Sequence, residues 1–183
     1  MTQLKFIDKI NWRQILVHLL GTFFLVLSAY QFAILHDIEF IKTIYKYGID
    51  KAVKQMFTQF HDMPRRITEF TEWIYFAQLF GILIGFVISL IMTIKNKRFW
   101  LNSLIVLMLS IFLCQIGLFH NNIIKSISFS FGSMFVNFGF QYRYIANGTL
   151  LFIIGFVIFF SKWTNNFSFK PLSLKSDIID KNI

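Results

Sequence analysis

Proline, cysteine and acidic residues are scarce in this chain: 2 Pro, 1 Cys and 9 Asp plus Glu among 183 residues. A single cysteine, Cys114, excludes an intramolecular disulfide and gives no indication of redox compartment. Charge is also missing from particular places. No Asp, Glu, Lys or Arg falls at the predicted midplane of any apolar segment, where ion-coupled transporters and proton relays usually place an ionisable group. Catalytic signatures are absent too, with no nucleophile elbow, HExxH, P-loop, Gly-rich dinucleotide turn or CxxC. The first apolar segment is too long for a typical signal-peptide h-region and no small-residue cleavage site follows it, so it is expected to remain as a transmembrane helix.

What the chain has in excess is apolar residues: 56% of it is hydrophobic and 25 residues are Phe, a composition unlike that of a soluble domain. Four segments approach the ~20 apolar residues that cross a hydrocarbon layer as a helix. They run from about Ile15 to Leu35, Trp73 to Ile94, Phe99 to Phe119 and Ile145 to Phe160. Helices are expected because backbone amides in lipid must be satisfied within the segment, and no long alternating barrel pattern is present. The expected fold class is therefore all-α integral membrane, a four-transmembrane-helix bundle. Residues 1–165 would form one membrane domain and 166–183 a flexible cytoplasmic tail.

The formal charge of +9 raises the question of nucleic acid. Its distribution answers it, because the basic residues flank the apolar segments, where headgroups and insertion topology account for them. No nucleic-acid partner is expected; the lipid bilayer is. Lys5, Lys9 and Arg13, then Lys95, Lys97 and Arg98, then Lys162, Lys170, Lys175 and Lys181 all fall on one side of four crossings. By the positive-inside rule both termini are cytoplasmic, in a multi-pass protein of a bacterial-type inner (plasma) membrane.

Two stretches carry the same landmarks in the same order. Gln31, His36, Tyr45, Tyr47 and Gly48 recur without a gap as Gln115, His120, Phe129, Phe131 and Gly132, and each set is followed by IGFVI, at Ile84 to Ile88 and Ile154 to Ile158. Such self-similarity predicts a two-helix hairpin duplicated in tandem, with repeats over 13–95 and 98–163. Between helices one and two, Ile38, Ile41, Tyr45, Ile49, Val53, Met56 and Phe60 recur at three-and-four spacing, which predicts an interfacial amphipathic helix. Pro64 suits the first turn of the helix that follows. The 121–145 connection alternates around Gly132-Ser133, a hairpin signal, while the repeat predicts a helix there; a short re-entrant or interfacial segment is the expectation.

The candidate site residues are few. His36 and His120, at matching positions of the two copies, would lie at equal depth and across copies could share a haem or a metal, or titrate as a pair. Histidines at a membrane boundary also simply meet water and headgroups, and no further ligands accompany these two, so neither a cofactor nor a metal is predicted. His18, near the cytoplasmic end of helix one, could extend a proton path but has no counterpart in the second copy. Gln31, Gln78 and Gln115 are expected to face the bundle as interhelical hydrogen-bonding groups. Gly81 and Gly85 form a GxxxG helix-packing motif. Asn147-Gly148-Thr149 matches a glycosylation acceptor but sits at the mouth of a helix.

These features point to a non-enzymatic accessory or scaffold subunit of a membrane assembly, with a membrane-protein partner or a homo-oligomer as its setting. A small duplicated transporter or channel-like protein is the first alternative, and a membrane redox or metal-binding protein using His36 and His120 is the second. Architecture alone does not decide among them.

Overall fold

Every described element is helical, and no strand occurs among the described residues. The structure is a computed structural model that describes residues 10–48, 63–118, 121, 124, 126 and 130–169. Helix α1 (Trp12–Ile34) starts where the side chain of Asn11 accepts a hydrogen bond from Gln14 N at 3.2 Å, a cap that satisfies one orphan amide of the first turn. A 3-10 turn (Leu35–Asp37) joins it to α2 (Ile38–Tyr47), which Asp37 caps by accepting from Phe40 N. Gly48, at φ 77°, ends α2 in a conformation that favours glycine.

The second long helix, α3 (Met63–Lys95), runs for 33 residues and holds Pro64 in its first turn, where a missing N–H breaks no helical bond. A tight turn with Lys97 at φ 51° leads to α4 (Leu101–Gln115). A 3-10 segment (Phe131–Phe138) and Gly139 precede α5 (Phe140–Phe160), and α6 (Lys162–Phe169) follows a one-residue break. Three helical stretches are long and apolar enough to cross a membrane: Trp12–Tyr47, Pro64–Lys95 and Phe140–Phe160. These are the helices of a membrane protein.

The remaining apolar helix differs from expectation. At 15 residues α4 rises about 22 Å, short of a hydrocarbon layer of roughly 30 Å. Its last turn is closed by the Ile116 amide on Phe112 O, and Gly117 then turns out of helix at φ 71°. The alternation of Phe138 to Tyr144 is not a strand: Gly139, at φ 134°, lets the chain start α5 at Phe140, and Tyr144, Asn147 and Gly148 then fall on one buried helical face. The amphipathic segment is helical over Ile38–Tyr47 with Phe40 as its buried residue; its continuation through Val53, Met56 and Phe60 lies outside the described residues. Residues 166–169 continue α6, whose Phe167 ring lies 5.5 Å from the Arg13 guanidinium.

Side-chain pairings fix how the helices run. Gln14 meets Thr93, His18 meets Ser89 and Thr22 meets Gly85, so α1 and α3 are antiparallel. Ser103 meets Ser89 while Cys114 meets Gln78, so α3 and α4 are antiparallel as well. Ser28 donates to Gly148 O at 2.7 Å and Phe159 lies against Gly21, which makes α5 antiparallel to α1. Helix α1 is thus packed by α3, α4 and α5 together. Close approach depends on glycine at particular points. A Cβ on Gly81 would lie 2.8 Å from Val26 Cα, and one on Gly155 would lie 3.1 Å from Gly21 O, so both contacts are backbone against backbone.

Candidate functional site

Small and polar residues recur every fourth position on two facing helices: Gln14, His18 and Thr22 on α1, and Gly81, Gly85, Ser89 and Thr93 on α3. Four-residue spacing stacks them on one face of each helix. Antiparallel packing then brings the two faces together, and Asn102 and Ser103 at the start of α4 complete a buried cluster, each of its polar side chains no more than 1% exposed. Asn102 Nδ2 donates to Gln14 Oε1 at 3.1 Å, and Gln14 Nε2 donates to Thr93 Oγ1 at 2.5 Å. His18 Nδ1 lies 2.7 Å from Ser89 Oγ, which lies 3.0 Å from Ser103 Oγ.

The hydrogens in this cluster can be assigned by elimination, since each hydroxyl has one to give. Thr93 spends its hydrogen on the Ser89 carbonyl, 2.7 Å away. The 2.8 Å contact between Thr93 and Ser103 therefore has Ser103 as donor. Ser103 must then accept from Ser89, and Ser89 in turn must accept from His18 Nδ1. Neutral His18 is thereby assigned as the Nδ1–H tautomer. The chain His18 to Ser89 to Ser103 to Thr93 commits every hydroxyl hydrogen and ties α1, α3 and α4 together. None of the buried polar residues among those described is Asp, Glu, Lys or Arg.

A second polar level lies further along the helices, beyond a layer of Leu25, Val26, Ile82, Val106 and Leu151, all buried. It holds Ser28, Gln31, Gln78, Ser110 and Asn147. Gln78 accepts from the Cys114 thiol at 3.4 Å. Both amide atoms of Gln31, Gln78 Nε2 and Ser110 Oγ have no hydrogen-bond partner among the described residues, although Gln31 and Gln78 are fully buried. Gln115 is placed differently: as the last residue of α4 it is exposed.

His36 is exposed in the 3-10 turn after α1, its ring 4.9 Å from that of Trp73; His120, and with it the expected pairing of the two histidines, lies outside the described residues. Beside His36, Arg66 grips both carboxylate oxygens of Asp37, a forked ion pair that clamps the start of α2 to the start of α3. Asn147 is fully buried, which removes its sequon from any modifying enzyme. No group of three or more His, Cys, Asp or Glu positioned for a metal occurs among the described residues. The chain matches no family model, no curated protein and no solved structure.

Sequence reasoning had Gln31, Gln78, Gly81, Gly85 and His18 in view but missed Gln14, Ser89, Thr93, Asn102 and Ser103. The four-residue run of small residues from Gly81 to Thr93 was the available signal. It extends the GxxxG motif by two further turns, and a helix face so small along its length is one against which another helix packs closely.

Proposed function

We propose that this chain crosses the membrane four times, with both termini and the Lys95 to Arg98 turn on the cytoplasmic side of a bacterial-type inner membrane, and acts as a non-catalytic accessory or scaffold subunit. The alternation of helix direction among α1, α3, α4 and α5 supports four passes. The position of α6 beside Arg13 supports placing the two ends on one side. Helix α2 then lies in the interface, with Phe40 turned to the bundle. A tandem duplication belongs to the same reading: Gly85 and Gly155, the second residues of the two IGFVI runs, seat against Thr22 and Gly21, neighbours on α1. On this reading the second copy differs from the first in its packing, since among the described residues α5 packs on α1 and not comparably on α4.

The observation that carries the scaffold role is the unequal burial of the helices. Half of the apolar window of α1 is buried, against 28% for α3 and 33% for α5. One helix is thus locked in place by committed hydrogen bonds, while two others offer broad apolar faces to lipid or to a partner's helices. Affinity purification in mild detergent, with mass spectrometry of what accompanies the protein, tests this. A stoichiometric membrane partner, or a homo-oligomer held through the α3 or α5 face, is the expected result. A monomer that alone supports solute flux in vesicles would overturn it.

The Gln31 amide and Gln78 Nε2, unbonded among the described residues, favour one second reading, transport of a small polar solute past the Leu25 to Leu151 layer. A buried amide can be satisfied by a bound polar molecule. Vesicle flux that is lost in Gln31→Leu would support this reading; no flux at all would dismiss it.

A further inference from the structure

A groove of about 540 Å³ opens sideways from the bundle, over α1 and between α3 and α5. That volume is typical of small-molecule sites, which span roughly 300–1,000 Å³. Ala29 of α1 and Ala77 and Gly81 of α3 line it with small residues, while the exposed rings of Phe76, Phe80 and Phe152 border it. Along α3 it extends from Ile84 to Trp73, eleven residues or about 16 Å of helix. Half of a hydrocarbon layer of roughly 30 Å is about 15 Å, so the groove matches one leaflet. An α-helix about 10 Å across and of that length would fill on the order of 1,200 Å³, twice the space present.

The groove does not end blindly. One helical turn beyond Trp73 stands Glu69, and one turn beyond Ala33 stand His36 and Asp37; these three, with Arg65 and Arg66, line a polar cleft of about 450 Å³. The Trp73 and His36 rings, 4.9 Å apart, mark the border between the two spaces. The cleft carries two guanidinium groups and two carboxylates, so its charges balance. Arg65 and Glu69 bond to each other at 2.7 Å as an exposed pair one turn apart, the kind of ion pair that is weak enough to exchange partners.

We propose that groove and cleft together hold one phospholipid from the leaflet opposite the termini, with an amine-bearing, zwitterionic headgroup. An acyl chain fills the groove, the phosphate meets the Arg65 guanidinium, whose planar fork suits phosphate oxygens, and the ammonium meets the Glu69 carboxylate. A lipid with only negative charge would meet Asp37 and Glu69 unfavourably. The inference rests on the transmembrane reading and not on the subunit role, so a chain that stays soluble without detergent would defeat that reading before any lipid is assayed.

The full-length protein is reconstituted into vesicles of equal parts phosphatidylethanolamine, phosphatidylglycerol and cardiolipin, re-extracted in mild detergent, and examined by native mass spectrometry. One retained phosphatidylethanolamine per chain is expected. Ala77→Trp, which fills the groove, should abolish retention. Arg65→Gln alters an exposed side chain and leaves packing intact; it should weaken retention by roughly tenfold, the worth of one charge-assisted contact. Glu69→Gln should shift preference toward phosphatidylglycerol. Equal retention of all three lipids by the wild type, or retention unchanged in both Ala77→Trp and Arg65→Gln, would overturn the proposal. So would a partner helix cross-linking through position 77 in the native membrane.

Discussion

His18 Nδ1 and Ser89 Oγ, 71 residues apart in sequence, lie 2.7 Å from each other in the interior and join α1 to α3. Interhelical hydrogen bonds in membranes contribute about 0.6 kcal/mol on average and up to ~1.7 kcal/mol. Ser89 also donates to Ser103, so Ser89→Ala removes two links at once and should destabilise the protein by about 1 kcal/mol, near the upper part of that range. Equilibrium unfolding in mixed micelles measures the change. A Ser89→Ala protein as stable as wild type would mean that the cluster contributes nothing to holding the helices.

Gly81 and Gly85 should both resist substitution. A methyl at Gly81 would press on the Val26 backbone at 2.8 Å, and one at Gly85 would lie 2.8 Å from Thr22 Cβ, which no rotation of that side chain moves. Overpacking typically costs 1–3 kcal/mol, and exchanging Gly for Ala in a helix returns about 1 kcal/mol. Gly81→Ala and Gly85→Ala are therefore each expected to destabilise by about 1–2 kcal/mol. The same unfolding assay is the test, and an Ala variant at either position as stable as wild type would contradict the close contact there.

Gln31→Met replaces a fully buried amide, neither of whose polar atoms is bonded among the described residues, with an apolar side chain of similar length. Removing an unsatisfied buried polar group should raise stability by about 1–3 kcal/mol. A loss of stability instead would point to a polar molecule held there and would strengthen the transport reading.

Asp37 has two tasks that a pair of variants separates. Asp37→Asn keeps an oxygen for the Phe40 amide but gives up the charge that Arg66 grips, while Asp37→Ala loses both. Loss of an N-cap costs about 1 kcal/mol. Hydrogen exchange over Ile38–Tyr47 should accelerate in both variants and more in Asp37→Ala; equal rates in the two would show that the cap is unimportant.

Membrane orientation has a direct test once Cys114 is replaced by serine. A cysteine at Lys97, in the exposed turn between α3 and α4, should react with an impermeant reagent only after the cytoplasmic side is opened. Labelling in intact cells would invert the topology.

Hydropathy was enough to locate α1, α3 and α5, because a run of apolar residues is a local property and each of these helices is longer than the layer it must cross. The fourth helix was overestimated for the same reason: Ile116, Leu118 and Phe119 extend the apolar run, and hydropathy does not register that Gly117 leaves the helical conformation. The polar cluster was harder to read. Ser103 and Asn102 are unremarkable singly, and their meaning depends on which residues of α1 and α3 stand opposite, a matter of register and crossing that no local pattern contains. Gln115 shows the converse, since it shares a position with Gln31 in the repeat yet ends its helix instead of sitting mid-face. The lateral groove had no signature at all, because it is made by the gap between helices.

The seating of Phe159 and Gly155 on Gly21 has a consequence for how the chain is made. Helix α1 is made before α5, yet its Gly21 and Ser28 meet their partners on α5 more than a hundred residues later. Throughout the synthesis of α3 and α4 that side of α1 is open to lipid or to a chaperone. Biogenesis therefore closes as a clasp, α1 and α5 meeting last, and a chain truncated ahead of Phe140 would insert its early helices while leaving α1 unclosed and open to degradation.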